Sequence, residues 1–479
     1  MAYLVTSAIL LVMAAPMSGS GLAFWLLCGS QLVLLAGQIL RRQVTGVGAF
    51  VFLSFLFFSV RPLYLWYEKD YRLFTRLFVL RVEFQDITSA MWWGSAALWC
   101  FCLGALLAQG GHRNFFHRRR VKHQAFLVRP AISRAMIGLL LAFQCATLPF
   151  LWVLANSKSS LYGSSFGAYL YDMPMVLQSV HVFTLVVLVE VFLRRKSAQN
   201  VILLSISVVL FLSFTWLMRD VTNFRSFYLT GVMVGGIAVL QRLKTRVGYA
   251  WLILPIVLLQ PAFRHLGENR QLDNEELLTS ELVGEVLPSE NIVQSYWSFY
   301  RYDGDMNIFD TFVAAKATEP AFKPYAWSWF YVPLHLIPRV LWEGKPKQGI
   351  TMDMSFTRGA PYSPGIAGFF LRDGGLLWML LSMGLLGYLV SFADWWVLTM
   401  PRGYLQCCLI AILVVNGMYL SRFFLWQYFY QILYAAVPCI ALTWFASRNT
   451  RITVRHQHTS QPRPLSSKFD GVEKRVHLS

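Results

Sequence analysis

At 479 residues, 56 % hydrophobic, 16 % aromatic and 14 % charged, the chain lies outside the composition range of soluble globular proteins. Its net charge of +18 is split into short clusters between apolar runs. That distribution excludes nucleic acid as the partner and fits loops facing anionic lipid. The apolar runs are about 18 to 22 residues long, as a hydrocarbon core of about 30 Å requires of a helix, and they do not alternate as barrel strands do.

In chain order, the first run, Tyr3 to Ala15, has no basic residue before it and makes a poor signal peptide. The Gly/Ser patch at 18–21 turns the chain, and Leu22 to Leu40 returns it to Arg41 and Arg42. A third span, about Val47 to Trp66, carries Arg61 and Pro62 near its outer end, followed by a loop of mixed charge from Glu68 to Asp86. Ser89 to Leu107 leads to the most basic loop, Arg113 to Arg129. Ile132 to Ala155 and Met175 to Leu193 follow, then Val201 to Leu217 and Phe227 to Leu240, joined by the tight segment 218–225. A ninth span, about Tyr249 to Phe263, reaches a long polar stretch. Gly374 to Phe392, Tyr404 to Leu420 and Phe424 to Phe445 complete an all-α polytopic membrane protein of about twelve spans.

The expected organisation is a transmembrane bundle over 1–263, a large outer loop over 264–373 that caps a site, three spans over 374–445 and a basic tail over 446–479. The loop has helical spacing at Leu278, Leu282 and Val286, at Val293, Trp297 and Tyr300, and at Phe309, Phe312 and Val313. These read as short amphipathic helices lying on the outer leaflet or on the bundle. The basic clusters all thread to one side, and their segments hold only Asp470 and Glu473 as acids. This asymmetry predicts cytoplasmic basic loops and termini. The seven cysteines lie in apolar runs and predict no disulfide framework.

Arginines recur on the expected outer face: Arg219, Arg225, Arg264, Arg270, Arg339, Arg358 and Arg372, with Lys345. The planar guanidinium grips phosphate oxygens through two parallel hydrogen bonds. Asp220, Glu268, Glu343 and Asp373, with His265 and His335, offer a general base, and each acid also has a nearby arginine or lysine that it would neutralise. Asp303-Gly-Asp305-Met-Asn307 resembles a calcium loop but has Ile308 and Ala314 where Gly and Glu are needed, so no metal is expected. His181, Glu190 and Asp394 are ionisable groups within spans, which are functional suspects by default and otherwise paired or snorkelling. No nucleotide-binding motif is present, so the energy must come from the substrate or from a gradient.

The span layout, the loop before the last three spans and the string Ile337-Pro-Arg339-Val-Leu-Trp342-Glu-Gly-Lys345-Pro346 together resemble the Wzy-type oligosaccharide repeat-unit polymerases. So do Asn223-Phe-Arg225-Ser226 and the stretch from Gly365 to Gly375. The resemblance implies an inverting, metal-independent glycosyltransferase of the GT-C type, needing no cofactor, on the outer face of a bacterial inner membrane. It would transfer a glycan from undecaprenyl pyrophosphate to the next lipid-linked repeat unit, for O-antigen, capsule or exopolysaccharide. A chain-length regulator and a flippase are the implied partners. Arg225, Arg270, Arg339, Lys345, Arg372 and Arg219 would hold pyrophosphate or glycan, and Asp373, His335 or Glu268 would be the base. Trp327, Trp329, Phe330 and Tyr331 would stack on sugar rings or lie against the lipid tail. A lipid-linked oligosaccharide flippase and an O-antigen ligase are the alternative readings.

Overall fold

The structure is a computed structural model that describes residues 1–41, 43–75, 78–115, 133–156, 165–222, 225–243, 248–249, 308–317, 328–335, 337, 342, 363–400, 403–421 and 425–459. The elements before the long loop are α1 (Ala2–Ala14), α2 (Gly21–Ile39), α3 (Gly46–Phe55), α4 (Arg61–Glu68), β1 (Arg72–Thr75), β2 (Phe78–Arg81), α5 (Phe84–Phe115), α6 (Arg134–Asn156), α7 (Ser165–Arg194), α8 (Ala198–Thr222) and α9 (Arg225–Leu243). Then follow α10 (Ile308–Ala317), α11 (Ser328–His335), α12 (Gly365–Leu398), α13 (Tyr404–Leu420) and α14 (Leu425–Thr459).

Among the described residues, eight helices are long and apolar enough to cross a membrane. They coincide with the second to seventh, tenth and twelfth expected spans. Shorter apolar helices at Ala2–Met17, Gly231–Leu243 and Tyr404–Leu420 fall on three more, and the ninth, Tyr249 apart, lies outside the described residues. The chain is therefore a helical, polytopic membrane protein. The mixed-charge loop after α4 contains an antiparallel hairpin that pairs Arg72 with Arg81 and Thr75 with Phe78, which the sequence reading did not foresee.

Burial sorts the helices. α13 is apolar on all sides and almost wholly buried, packing against α3, α7, α9, α12 and α14 at the centre. α6 and α8 instead expose Leu139, Trp152, Val153, Ile202, Val209 and Trp216, the surface a helix turns to acyl chains. α5 and α12 pack most intimately: a Cβ on Gly104 would overlap Gly384 O, and one on Gly387 would overlap Phe101 O. Small residues let backbones touch in this way, and dispersion then holds helices that no hydrophobic effect drives together in lipid.

Polar side chains inside the bundle join helices to one another. Pro62 has no N–H for the carbonyl of Phe58, four residues earlier, and its ring crowds that oxygen. The helix accommodates it with a π turn over Leu56–Val60 between α3 and α4. The freed Phe58 carbonyl accepts from Gln31 Nε2 at 3.2 Å, and the same amide reaches Ser95 Oγ at 2.7 Å and receives Ser59 Oγ on Oε1 at 2.7 Å.

The ionisable groups suspected within the spans have structural partners. Asp394 accepts from Gly46 N and Val47 N, both at 2.9 Å, and so caps α3 from another helix. Glu190 pairs with Arg194 at 2.9 Å and with Arg242. Thr147 Oγ1 donates to Gln144 O at 2.8 Å, so it accepts from His181 Nε2 at 2.8 Å. Gln144 in turn reaches His181 Nδ1 at 3.3 Å and Ser207 Oγ at 3.0 Å, tying α6, α7 and α8 together.

Candidate functional site

α12 is 34 residues long, about 51 Å at 1.5 Å per residue, well beyond a hydrocarbon core of about 30 Å. It is not one straight helix. Gly374 and Gly375 leave helical geometry, with φ −170° and +78°, and the second value is one that L side chains rarely adopt. The expected start of this span at Gly374 therefore falls on the break, and residues 365–373 form a separate helical arm before it. This arm brings the candidate site together.

Asp373 is the last residue of the arm and is 4 % exposed. Its Oδ2 accepts from Ser328 N at 2.8 Å, which satisfies one of the orphan donors at the N-terminus of α11. Residues adjacent on a helix do not face each other, so Asp373 turns to α11 rather than to Arg372, which is half-buried on the same arm. Trp329 lies parallel to Phe370 of the arm, with centroids 5.7 Å apart and planes within 6°, and tilts against Phe429 of α14 at 6.4 Å. Tyr331 meets Trp426 edge-on at 6.4 Å. Of the aromatics expected to stack on sugar, Trp329 and Tyr331 are thus engaged with protein, Phe330 is exposed, and Trp327 is outside the described residues.

Beneath the arm lies α10, the third of the expected loop helices. The sequence reading has it amphipathic on the leaflet or the bundle. Instead it is buried on every face from Ile308 to Ala315. Its one acid explains how a charged helix sits there: Asp310 receives Arg61 Nε at 3.1 Å and Nη2 at 2.8 Å, a bidentate pair with both side chains fully buried. At the other end, Lys316 Nζ donates to Ser89 Oγ at 2.6 Å and stands 5.4 Å from the Trp93 ring centroid. Burial lowers the Lys316 pKa from its usual 10.5, with the Asp86 charge opposing that shift.

Of the three candidate bases, only Asp373 has a described side chain. His335 closes α11, about 10 Å along the helix axis from the Ser328 end that Asp373 caps. Arg219 falls within α8 and Arg225 opens α9; their side chains, like that of His335, lie outside the described set. Glu268, Arg270, Arg339 and Lys345 lie wholly outside the described residues, as do the other two expected loop helices and the Asp303–Asn307 segment. Among the described residues no group of three metal-binding side chains occurs.

Sequence reasoning missed the Arg61–Asp310 pair and the role of Ser328. A signal for the first was present, because Arg61 is a lone charge within an apolar run and Asp310 sits between Phe309 and Phe312. In comparisons with known proteins, no family model, curated protein or solved structure matches the chain.

Proposed function

We propose that the chain is a polymerase of lipid-linked oligosaccharide repeat units, with about twelve spans, cytoplasmic termini and its long loop on the outer face of a bacterial plasma membrane. The observation that carries this reading is the buried Asp373 carboxylate at a helix break, on the arm that docks helix 328–335. That helix leads directly into the basic string Arg339 to Lys345.

In the proposed reaction, a hydroxyl of the acceptor repeat unit attacks the anomeric carbon of the donor glycan. The bond from that carbon to the pyrophosphate oxygen breaks, the configuration inverts, and undecaprenyl pyrophosphate leaves with the electron pair. Asp373 takes the hydroxyl proton, with His335 and Glu268 as alternative bases. Arg339, Arg270, Arg225, Arg372, Arg219 and Lys345 stabilise the departing anion, a role in which one lost donor costs about 2.7 to 4 kcal/mol.

The test is a glycan ladder made by purified protein from its lipid-linked repeat unit, run beside Asp373→Asn, Arg339→Ala and Arg270→Ala. Asparagine still accepts the Ser328 N–H and serves nearly as well at a helix cap, so Asp373→Asn spares the fold. Its ladder formation should fall by about 10²–10⁴, the usual worth of a positioned base. A full ladder from Asp373→Asn would pass the base to His335 or Glu268. No ladder from folded protein would favour the flippase.

A further inference from the structure

A carboxylate at a helix break is only as well placed as the structure beneath it. The arm 365–373 rests closely on α10: a Cβ on Gly365 would stand 3.0 Å from Ile308 Cγ2 and 2.6 Å from Ser421 O, and one on Gly368 would stand 3.3 Å from the Phe312 ring. α10 is itself held by the helix that carries the π turn. Phe309 and Phe312 meet Phe58 edge-on at 6.0 and 5.1 Å. Arg61, which follows the turn, grips Asp310 with both arms of its fork.

Stability alone does not account for such a pair, because an apolar pair of similar volume is often as stable or more so. A bidentate bond differs from an apolar contact in fixing orientation. Side chains such as Phe309 and Phe312 tolerate a small rotation of α10 about its axis, whereas two parallel N–H···O bonds do not. Height and rotation then pass through Gly365 and Gly368 to the arm, and from Asp373 and Phe370 to Ser328 and Trp329 of α11.

We propose that Arg61 and Asp310 are positioning residues for the Asp373 site, setting the height and rotation of α10 and through it those of the arm and α11. The inference rests on Asp373 belonging to the reacting centre.

It is tested by hydrogen exchange, read by mass spectrometry on the full chain in detergent. The variants are Arg61→Lys, which keeps the charge and loses the fork, and the apolar pair Arg61→Met with Asp310→Leu. Thermal melting is followed alongside and, where a ladder forms, turnover against substrate concentration. Both variants should melt near the unmodified protein, with amides of α5 and α13 exchanging as before. Residues 365–373 and 328–335 should exchange roughly tenfold faster, a local rather than global opening. Turnover should fall roughly a hundredfold with KM little changed, as expected of a misplacement of about 1 Å.

Unchanged exchange at those two segments in a folded variant would overturn the proposal. A uniform rise across all helices, or loss of folding in both variants, would also overturn it by making the pair a merely stabilising one. If only the apolar pair fails to fold, Arg61→Lys decides on the same criteria. Exchange needs no substrate, so it judges the positioning role whether or not a ladder forms, and a missing ladder counts against the proposed function alone.

Discussion

Lys316 holds an ammonium at the end of a buried helix, and its environment disfavours that charge. Its folded pKa lies below the usual 10.5, so between the two values the unfolded chain binds more protons than the folded one. Stability must then rise with pH across that interval, and below it the full penalty stands. The gap in melting temperature between the unmodified protein and Lys316→Met should widen in favour of the former as pH climbs towards 10.5. A gap that stays flat would mean that the ammonium is as well solvated in the fold as in the unfolded chain. Single residues were also where the sequence was least specific. Asp394, Glu190 and His181 are buried ionisable groups, and the sequence alone leaves open whether such groups are functional or paired. Apart from Arg194, four residues on from Glu190 in the same helix, their partners come from other helices: Gly46 stands 348 residues from Asp394 and Arg242 stands 52 from Glu190. No local pattern reveals pairings of that range.

At the scale of the element, the spans were legible because a lipid-facing helix must be apolar along its whole length, and the expected ranges other than the ninth fall on helices among the described residues. The interruption of α12 was legible only in part. Two consecutive glycines mark a boundary, but not that a helix precedes it. The close contact of α5 and α12 was not readable, since a glycine packed against a backbone and one facing open space look alike in sequence. Gly104 and Gly110, both in α5, separate the two cases. A Cβ at Gly104 would overlap Gly384 O, while at Gly110 no atom of the described residues lies within 4 Å. Gly104→Ala should therefore cost about 1–3 kcal/mol through overpacking. Gly110→Ala should be neutral or gain up to about 1 kcal/mol from helix propensity. Melting of the two variants in one detergent checks the contrast, and equal effects would refute the close packing.

For the whole molecule, the sequence predicts orientation more directly than the fold does, because basic loops are retained on the cytoplasmic side. Single cysteines placed at Glu83 and Lys196 in a cysteine-free background would report it. Both positions lie outside the apolar cores of the spans, and Lys196 follows the basic end of α7. An impermeant maleimide should label Glu83→Cys on intact cells and reach Lys196→Cys only after permeabilisation. The reverse pattern would place Asp373 on the cytoplasmic face and end the polymerase reading. The candidate site was legible as single residues rather than as an arrangement. Asp373 stood out as the acid after Arg372 in the stretch 365–375, but the ground beneath it joins the third span to a helix far along the chain.

Arg61 and Asp310 are 249 residues apart. A ribosome adding about 5–20 residues per second needs about 12–50 s to cover that distance. Throughout that time the third span sits in the membrane with its arginine lacking the counter-ion it will finally use. The early helices therefore cannot reach their final seating until α10 has been made and has entered the bundle. Asp373 lies on α12, made after α10, so a chain halted before α10 is inserted but has neither the floor nor the arm of its site.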